Sequence, residues 1–132
     1  MKTFFMVKPD GVKRNIVGQV IDRVEQEGFK ITKMKMMTIS NELAEEHYGE
    51  HKDKPFFQDL VSFITSGPVV AMEVEGEDVV SEVRRIMGAT NPSDADPGTI
   101  RADFATKLEE NVVHGSDSVS YTHLRAHETR VH

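Results

Sequence analysis

The chain has 132 residues, 22 of them acidic against 16 lysines and arginines, a formal net charge of −6 and no cysteine. That length suits one domain with a real hydrophobic core, and the acidic balance disfavours broad nucleic-acid or anionic-membrane binding while leaving room for a local basic pocket. Disulfides and thiolate chemistry are excluded; no apolar stretch approaches membrane-spanning length, and "MKTFFMV" is too short for a signal peptide, so a soluble cytoplasmic protein is expected.

Thr3 to Val7 reads as a short apolar strand closed by a "KPDG" turn at Lys8 to Gly11. Val17, Val20, Ile21 and Val24 fall at helical spacing, and Gly28 stops that helix. Residues 29–39, "FKITKMKMMTI", are β-rich and partly alternating, hence a second strand. Ser40 or Asn41 can cap the acidic helix "ELAEEHYGEH". His47 and His51 stand at i, i+4 on it, a metal-compatible spacing. With neither a third ligand nor a general-base glutamate near them, a solvated helix face is the better reading. Pro55 opens a helix carrying Phe56, Leu60, Val61 and Ile64, and "SGP" ends it. "VVAMEV", residues 69–74, is a third strand. Val79, Val80, Val83, Ile86 and Met87 stripe a helix terminated by Gly88, and "NVV", residues 111–113, is a fourth strand.

The order β-α-β, extra helices, β-α-β fits the split βαβ, ferredoxin-like arrangement, although sequence order alone also allows a small parallel α/β sheet. Between the last helix and the last strand, residues 89–103 show no periodicity. A structureless segment of that length inside a compact domain is usually functional. It carries Thr90 and Arg101, with Arg84 and Arg85 just before it, so donors gather there in an otherwise acidic chain. The last strand then places His114 at its end, before a Gly-Ser-Asp-Ser run. Taken alone, that is a strand end with a half-buried histidine and a polar turn.

Four collinear pieces change this reading: "MVKPDGV" near the start, "HYGEHKDKPFF" in the middle, "GATNPSDADPGTIRADF" in the long loop and "NVVHGSDS" at the end. With their spacing, they resemble nucleoside diphosphate kinases over about residues 2–118. The resemblance implies a ferredoxin-like α/β sandwich (α+β) with a four-stranded antiparallel sheet and helices packed on it. It implies transfer of the γ-phosphoryl group of a nucleoside triphosphate such as ATP or GTP to a diphosphate such as GDP or ADP. It further implies a ping-pong mechanism on a homo-oligomer, a tetramer or hexamer, through pros-phosphohistidine at His114. Neutral imidazole has a nitrogen lone pair near pH 7, and a covalent intermediate splits one transfer into two similar steps. By the same resemblance, Arg84, Thr90 and Arg101 hold phosphate. Lys8 and Asn111 hold the sugar hydroxyls, with Lys8 also near the transferred phosphate. Phe56 stacks on the base beside an apolar Leu108, Tyr48 lies close to the nucleophile, and Ser116 helps to position it. Mg2+ is expected on the nucleotide phosphates, with no protein carboxylate cage for a metal.

Three other classes compete. A histidine phosphotransfer module presents its histidine from a helical bundle, against the β-rich segments and Gly115 here. A nucleotide-binding protein of the same fold with impaired catalysis is the second, and a nucleic-acid-binding relative, disfavoured by the acidic balance, is the third. The chain departs from the family in its last residues. Residues 1–118 read as the kinase-like domain, and 119–132 as an atypical, non-native tail. There "SYTHLRAHETRVH" replaces an acidic helical segment, and Arg125 stands where relatives have a glutamate that pairs with the serine matching Ser116. The tail lacks the apolar stripe needed to cover a sheet.

Overall fold

The computed structural model of the chain describes residues 1–106 and 110–116. The readings made for Leu108 and for the tail at 119–132 lie outside the described residues. In chain order the elements are β1 (Lys2–Val7), α1 (Pro9–Lys13), α2 (Val17–Gln26), β2 (Lys30–Met37), α3 (Asn41–His47), α4 (Phe57–Ile64), β3 (Val69–Glu75), α5 (Val79–Met87), α6 (Ile100–Phe104) and β4 (Val113–Ser116). Short 3₁₀ turns at Gly49–His51 and Pro92–Asp94 separate α3 from α4 and α5 from α6.

The strands form one sheet in the order β2-β3-β1-β4, and every neighbouring pair is antiparallel. This is the ferredoxin-like order, and it overturns the parallel alternative. β1 lies inside the sheet with both faces covered, which is why "TFFMV" reads as an unbroken apolar run rather than an alternating one. Its side chains still alternate. Phe5 and Val7 join Val20 and Val24 of α2 and Val79, Val83, Ile86 and Met87 of α5 in one core. Phe4 and Met6 join Leu43 and Ala44 of α3 and Phe57, Val61 and Ile64 of α4 in a second core on the opposite face. Removing each large apolar side chain of these clusters from water contributes about 1.5–3 kcal/mol.

Several boundaries differ from the sequence reading. "KPDG" is no isolated turn. Lys8 O accepts from both Gly11 and Val12 N–H, with Pro9 at the first helical position, so the turn propagates into α1. The acidic helix ends at His47, while Ser40 caps its start by accepting from Leu43 N–H at 3.2 Å. The next helix begins at Phe57 rather than at Pro55. Residues 89–103 are not structureless. Asn91 caps the 3₁₀ turn, and Thr99 caps α6 by accepting from Ala102 N–H at 3.2 Å. The last strand starts at Val113, because Val112 has φ +72° and cannot extend into it.

Candidate active site

β4 runs beside β1 with Met6 opposite His114, Phe5 opposite Gly115 and Phe4 opposite Ser116. His114 is therefore inside the strand and not at its end, on the sheet face that carries Met6 and the α3–α4 core. Gly115 does not break the backbone either. A Cβ there would meet Met87 Sδ at 3.0 Å and Val83 Cγ1 at 3.7 Å, so glycine at this position lets β4 lie flush against α5.

The histidine faces the end of α3. The His47 and His114 rings meet edge-to-face with centroids 4.6 Å apart, and His47 makes a second such contact with Tyr48 at 4.8 Å. The solvated-face reading of the histidine pair thus fails. Because α3 stops at His47, the chain turns there and directs this ring at β4, whereas His51 lies in the following 3₁₀ turn beside Phe56, centroids 5.5 Å apart. Only a helix continued past its true end would put both on one face. Burial pushes the Tyr48 phenol up to about 12, so it stays protonated and able to donate.

Burial, followed by the positive fields of His47, Lys8, Arg101 and Arg84, holds the His114 imidazole down to about 3. At neutral pH the ring is uncharged and keeps a lone pair. The cations that lower it come from separate parts of the chain. Lys8, at the start of α1, is buried, and its Nζ donates to Asn111 Oδ1 at 2.8 Å. Asn111 Nδ2 in turn donates to Thr90 O at 3.1 Å, so Lys8, Asn111 and Thr90 form one chain of hydrogen bonds. Arg101, on α6, is buried, and its guanidinium donates to the carbonyls of Asn111 at 3.4 Å, Gly88 at 3.1 Å and Val113 at 2.8 Å. Burial lowers it to about 10, which leaves it charged at neutral pH. Arg84 is exposed on the last turn of α5. Phe56 is 43% exposed at the N-terminus of α4, with Lys54 Nζ 5.8 Å from its ring centroid. The side chain of Ser116 and the whole of Leu108 lie outside the described residues.

Asp10 is more than the turn residue that its sequence context suggests. Its Oδ2 accepts from Val112 N–H at 3.0 Å, across 102 positions of sequence. Burial raises its carboxyl above the usual range, against the opposing field of Lys8 and the bond from Val112. Val112 is fully buried at positive φ, and Val113 N–H donates to Asn111 O at 2.8 Å around it, which makes a γ-turn. A β-branched residue held there stores of order 1–3 kcal/mol. No local sequence signal announces such a turn, since valine is a strand residue by propensity.

The group is an uncharged histidine in the field of two buried cations, Lys8 and Arg101, and an exposed one, Arg84, with the ring of His47 against both it and Tyr48. Such a set can bind an anionic phosphate chain and offer it a nitrogen nucleophile. The comparisons with known proteins agree. The family model for nucleoside diphosphate kinase matches residues 1–127, beyond the boundary at 118 set by the motifs. A nucleoside diphosphate kinase of Thermus thermophilus is 64% identical over 115 residues, covering 87% of this chain and 84% of that protein. One from Exiguobacterium sibiricum is 60% identical over 118 residues, covering 89% and 86%. The structure of the Halobacterium salinarum enzyme in complex with CDP superposes with a TM-score of 0.87 at 56% identity, covering 89% of this chain and 78% of that one. By fold, by motif and by likeness over most of its length, the chain belongs to the nucleoside diphosphate kinase family, a family of phosphotransferases.

Proposed function

We propose that this chain transfers the γ-phosphoryl group of a nucleoside triphosphate to a nucleoside diphosphate in two displacements, both at His114. The observation that carries this reading is the setting of His114, inside β4 opposite Met6 and against the His47 ring, where the charges of Lys8, Arg84 and Arg101 act on it and favour the neutral imidazole. In the first step a ring nitrogen lone pair attacks the γ-phosphorus, the bond to the β–γ bridging oxygen breaks, and the diphosphate leaves. In the second, a terminal oxygen of the incoming diphosphate attacks the phosphohistidine, the P–N bond breaks and neutral imidazole returns. Atoms and charge balance over the pair, and no proton has to be moved by a separate base.

The other residues position and neutralise. Arg84, Thr90 and Arg101 take the phosphates, Lys8 and Asn111 the sugar hydroxyls and, for Lys8, the transferred group, while Phe56 stacks on the base and Leu108 borders it. Tyr48 and Ser116 steady the histidine. Among the described residues no group of three or more His, Cys, Asp or Glu side chains could hold a metal ion. Lys8, Arg84 and Arg101 suit the anionic phosphates and offer a cation no ligand, so a divalent cation would be carried on the nucleotide, and for it we propose Mg2+. Bound there, it would neutralise the charge that develops on the phosphates. Nucleotide substrates are supported by the CDP bound to the Halobacterium salinarum relative. A homo-oligomer, a cytoplasmic location and a kinase-like domain ending near 118 before an atypical tail are further parts of this proposal. No helix among the described residues is long and apolar enough to cross a membrane.

Incubation of the protein with γ-labelled ATP and magnesium tests the reading. Label should be acid-labile, stable in alkali and mapped to His114 by mass spectrometry. Undiminished label in His114→Ala would remove the assignment.

A further inference from the structure

The N-terminus of α1 grips the γ-turn ahead of β4 at three points. Lys8 N–H donates to Val112 O at 2.7 Å, Asp10 Oδ2 accepts from Val112 N–H at 3.0 Å, and Lys8 Nζ donates to Asn111 Oδ1 at 2.8 Å. The approach is close enough to require glycine in α1, because a Cβ on Gly11 would sit 3.2 Å from Val112 Cγ1 and 2.6 Å from Val7 Cγ1. From the other side, Arg101 donates to Asn111 O at 3.4 Å and Val113 O at 2.8 Å. The backbone of the turn is thereby held from both sides.

Of these ties the one from Asp10 differs in kind. The others are made by backbone groups or by side chains that the reaction itself recruits. Asp10 is 9% exposed, its Oδ1 is buried with no hydrogen-bond partner among the described residues, and beyond its own backbone N–H its carboxylate takes a hydrogen bond from Val112 N–H. That N–H belongs to a fully buried residue and would be orphaned without it, because the γ-turn directs it away from the ladder. Released from Asp10, a valine would leave the left-handed region for the extended one. Such a change at one φ would redirect the chain just before His114, and with it the side chain of Asn111.

We propose that Asp10 is a positioning residue for phosphoryl transfer: by holding Val112 in the left-handed γ-turn, it sets Asn111 and His114 in register with Lys8. The proposal rests on the reading of His114 as the phosphoryl acceptor. Asp10 need not touch the nucleotide, and it acts through the backbone of one strained residue. The prediction is therefore specific to that residue. Glycine reaches positive φ without a side-chain penalty, so Val112→Gly should lessen the need for Asp10.

The test measures the single-turnover rate of phosphohistidine formation at saturating γ-labelled ATP and magnesium, on the full chain. Asp10→Ala should slow it about 100-fold, the scale for a misplacement of about 1 Å at a reacting group. Asp10→Asn keeps a carbonyl acceptor and should stay within about tenfold of the parent. Asp10→Ala combined with Val112→Gly should stay within about tenfold of Val112→Gly alone, since the turn then forms without the clamp. A parent-like rate in Asp10→Ala overturns the proposal, as does a loss that Val112→Gly leaves undiminished. If Asp10→Ala does not fold, the comparison of Val112→Gly with and without Asp10→Ala decides alone, a further loss near 100-fold overturning it. His114→Ala serves as the control that separates the two readings. Label surviving there would sink the acceptor assignment, whereas a fast Asp10→Ala with an unlabelled His114→Ala would sink only the role of Asp10.

Discussion

The two ends of the site are built differently. Around β4, Lys8, Asp10, Arg101 and Asn111 are buried, and the backbone from Asn111 to Val113 is held by hydrogen bonds from α1 and α6. Around the turn between α3 and α4, Phe56 is 43% exposed and has ring contacts to His51 and Lys54. The difference matches what each end would have to do in the roles proposed for it. Phosphoryl transfer depends on placing charge and nucleophile within a fraction of an ångström, while a stacking surface needs only a π-face and tolerates freedom. Substitutions at the first end should therefore affect folding and chemistry together, and those at the second should affect binding alone.

The two arginines proposed to hold phosphate break this comparison most sharply, because only one belongs to the buried scaffold. Arg101→Ala removes a buried guanidinium from three carbonyls, and should cost about 2–4 kcal/mol of folding stability as well as activity. Arg84→Ala, on the exposed end of α5, should lower turnover on the scale of about a hundredfold for a lost charged donor. Its stability should change by only about 0.5 kcal/mol. Urea unfolding and steady-state kinetics on the two variants read both quantities. Equal stability losses would show that burial does not separate them.

The protonation of His114 gives a second measurement. Its folded value of about 3 lies below the ordinary value of 6.5. Between those limits the unfolded chain binds a proton that the folded chain refuses. The contribution is thus complete above pH 6.5 and is lost as pH falls towards 3. At pH 5, with the ring half-buried and partly screened, the loss should be about 1–2 kcal/mol. His114→Gln should flatten that part of the stability profile. An unchanged acid slope in that variant would mean that other groups govern it.

Most of this fold is legible in the sequence because local and global preferences agree in it. The helical stripe of Val79, Val83, Ile86 and Met87 and the run at Phe4 to Val7 are the two faces of the core seen in one dimension. Of the residues assigned from motifs, Lys8, Arg84 and Arg101 act on His114 through their charge, and Asn111 and Thr90 are hydrogen-bonded in a chain with Lys8. Tyr48 meets His114 through the ring of His47, whereas Phe56 lies against His51 and Lys54. What escapes depends on pairings that no local pattern carries. His47 is misjudged because α3 stops one turn earlier than its composition implies, which changes the direction of the ring. Asp10 and Val112 are missed because their bond spans 102 positions and holds valine where its propensity argues against it.

The smallest expected effect tests the open end. Phe56 caps the start of α4 with its ring against His51 and near Lys54, whereas its neighbour Phe57 carries the packing, 7% exposed in the α3–α4 core. Truncating the exposed ring therefore leaves the core intact, and Phe56→Ala should change stability by only about 0.5 kcal/mol. It should weaken nucleotide binding by about 1–3 kcal/mol, the scale of one base–aromatic stack. Because stacking reads a ring face and not a hydrogen-bond pattern, that loss should be similar for ADP, GDP, CDP and UDP. Calorimetric titration of the four diphosphates against parent and variant gives the numbers. A loss confined to one base, or one accompanied by a large drop in unfolding free energy, would place Phe56 in the rigid half of the site after all.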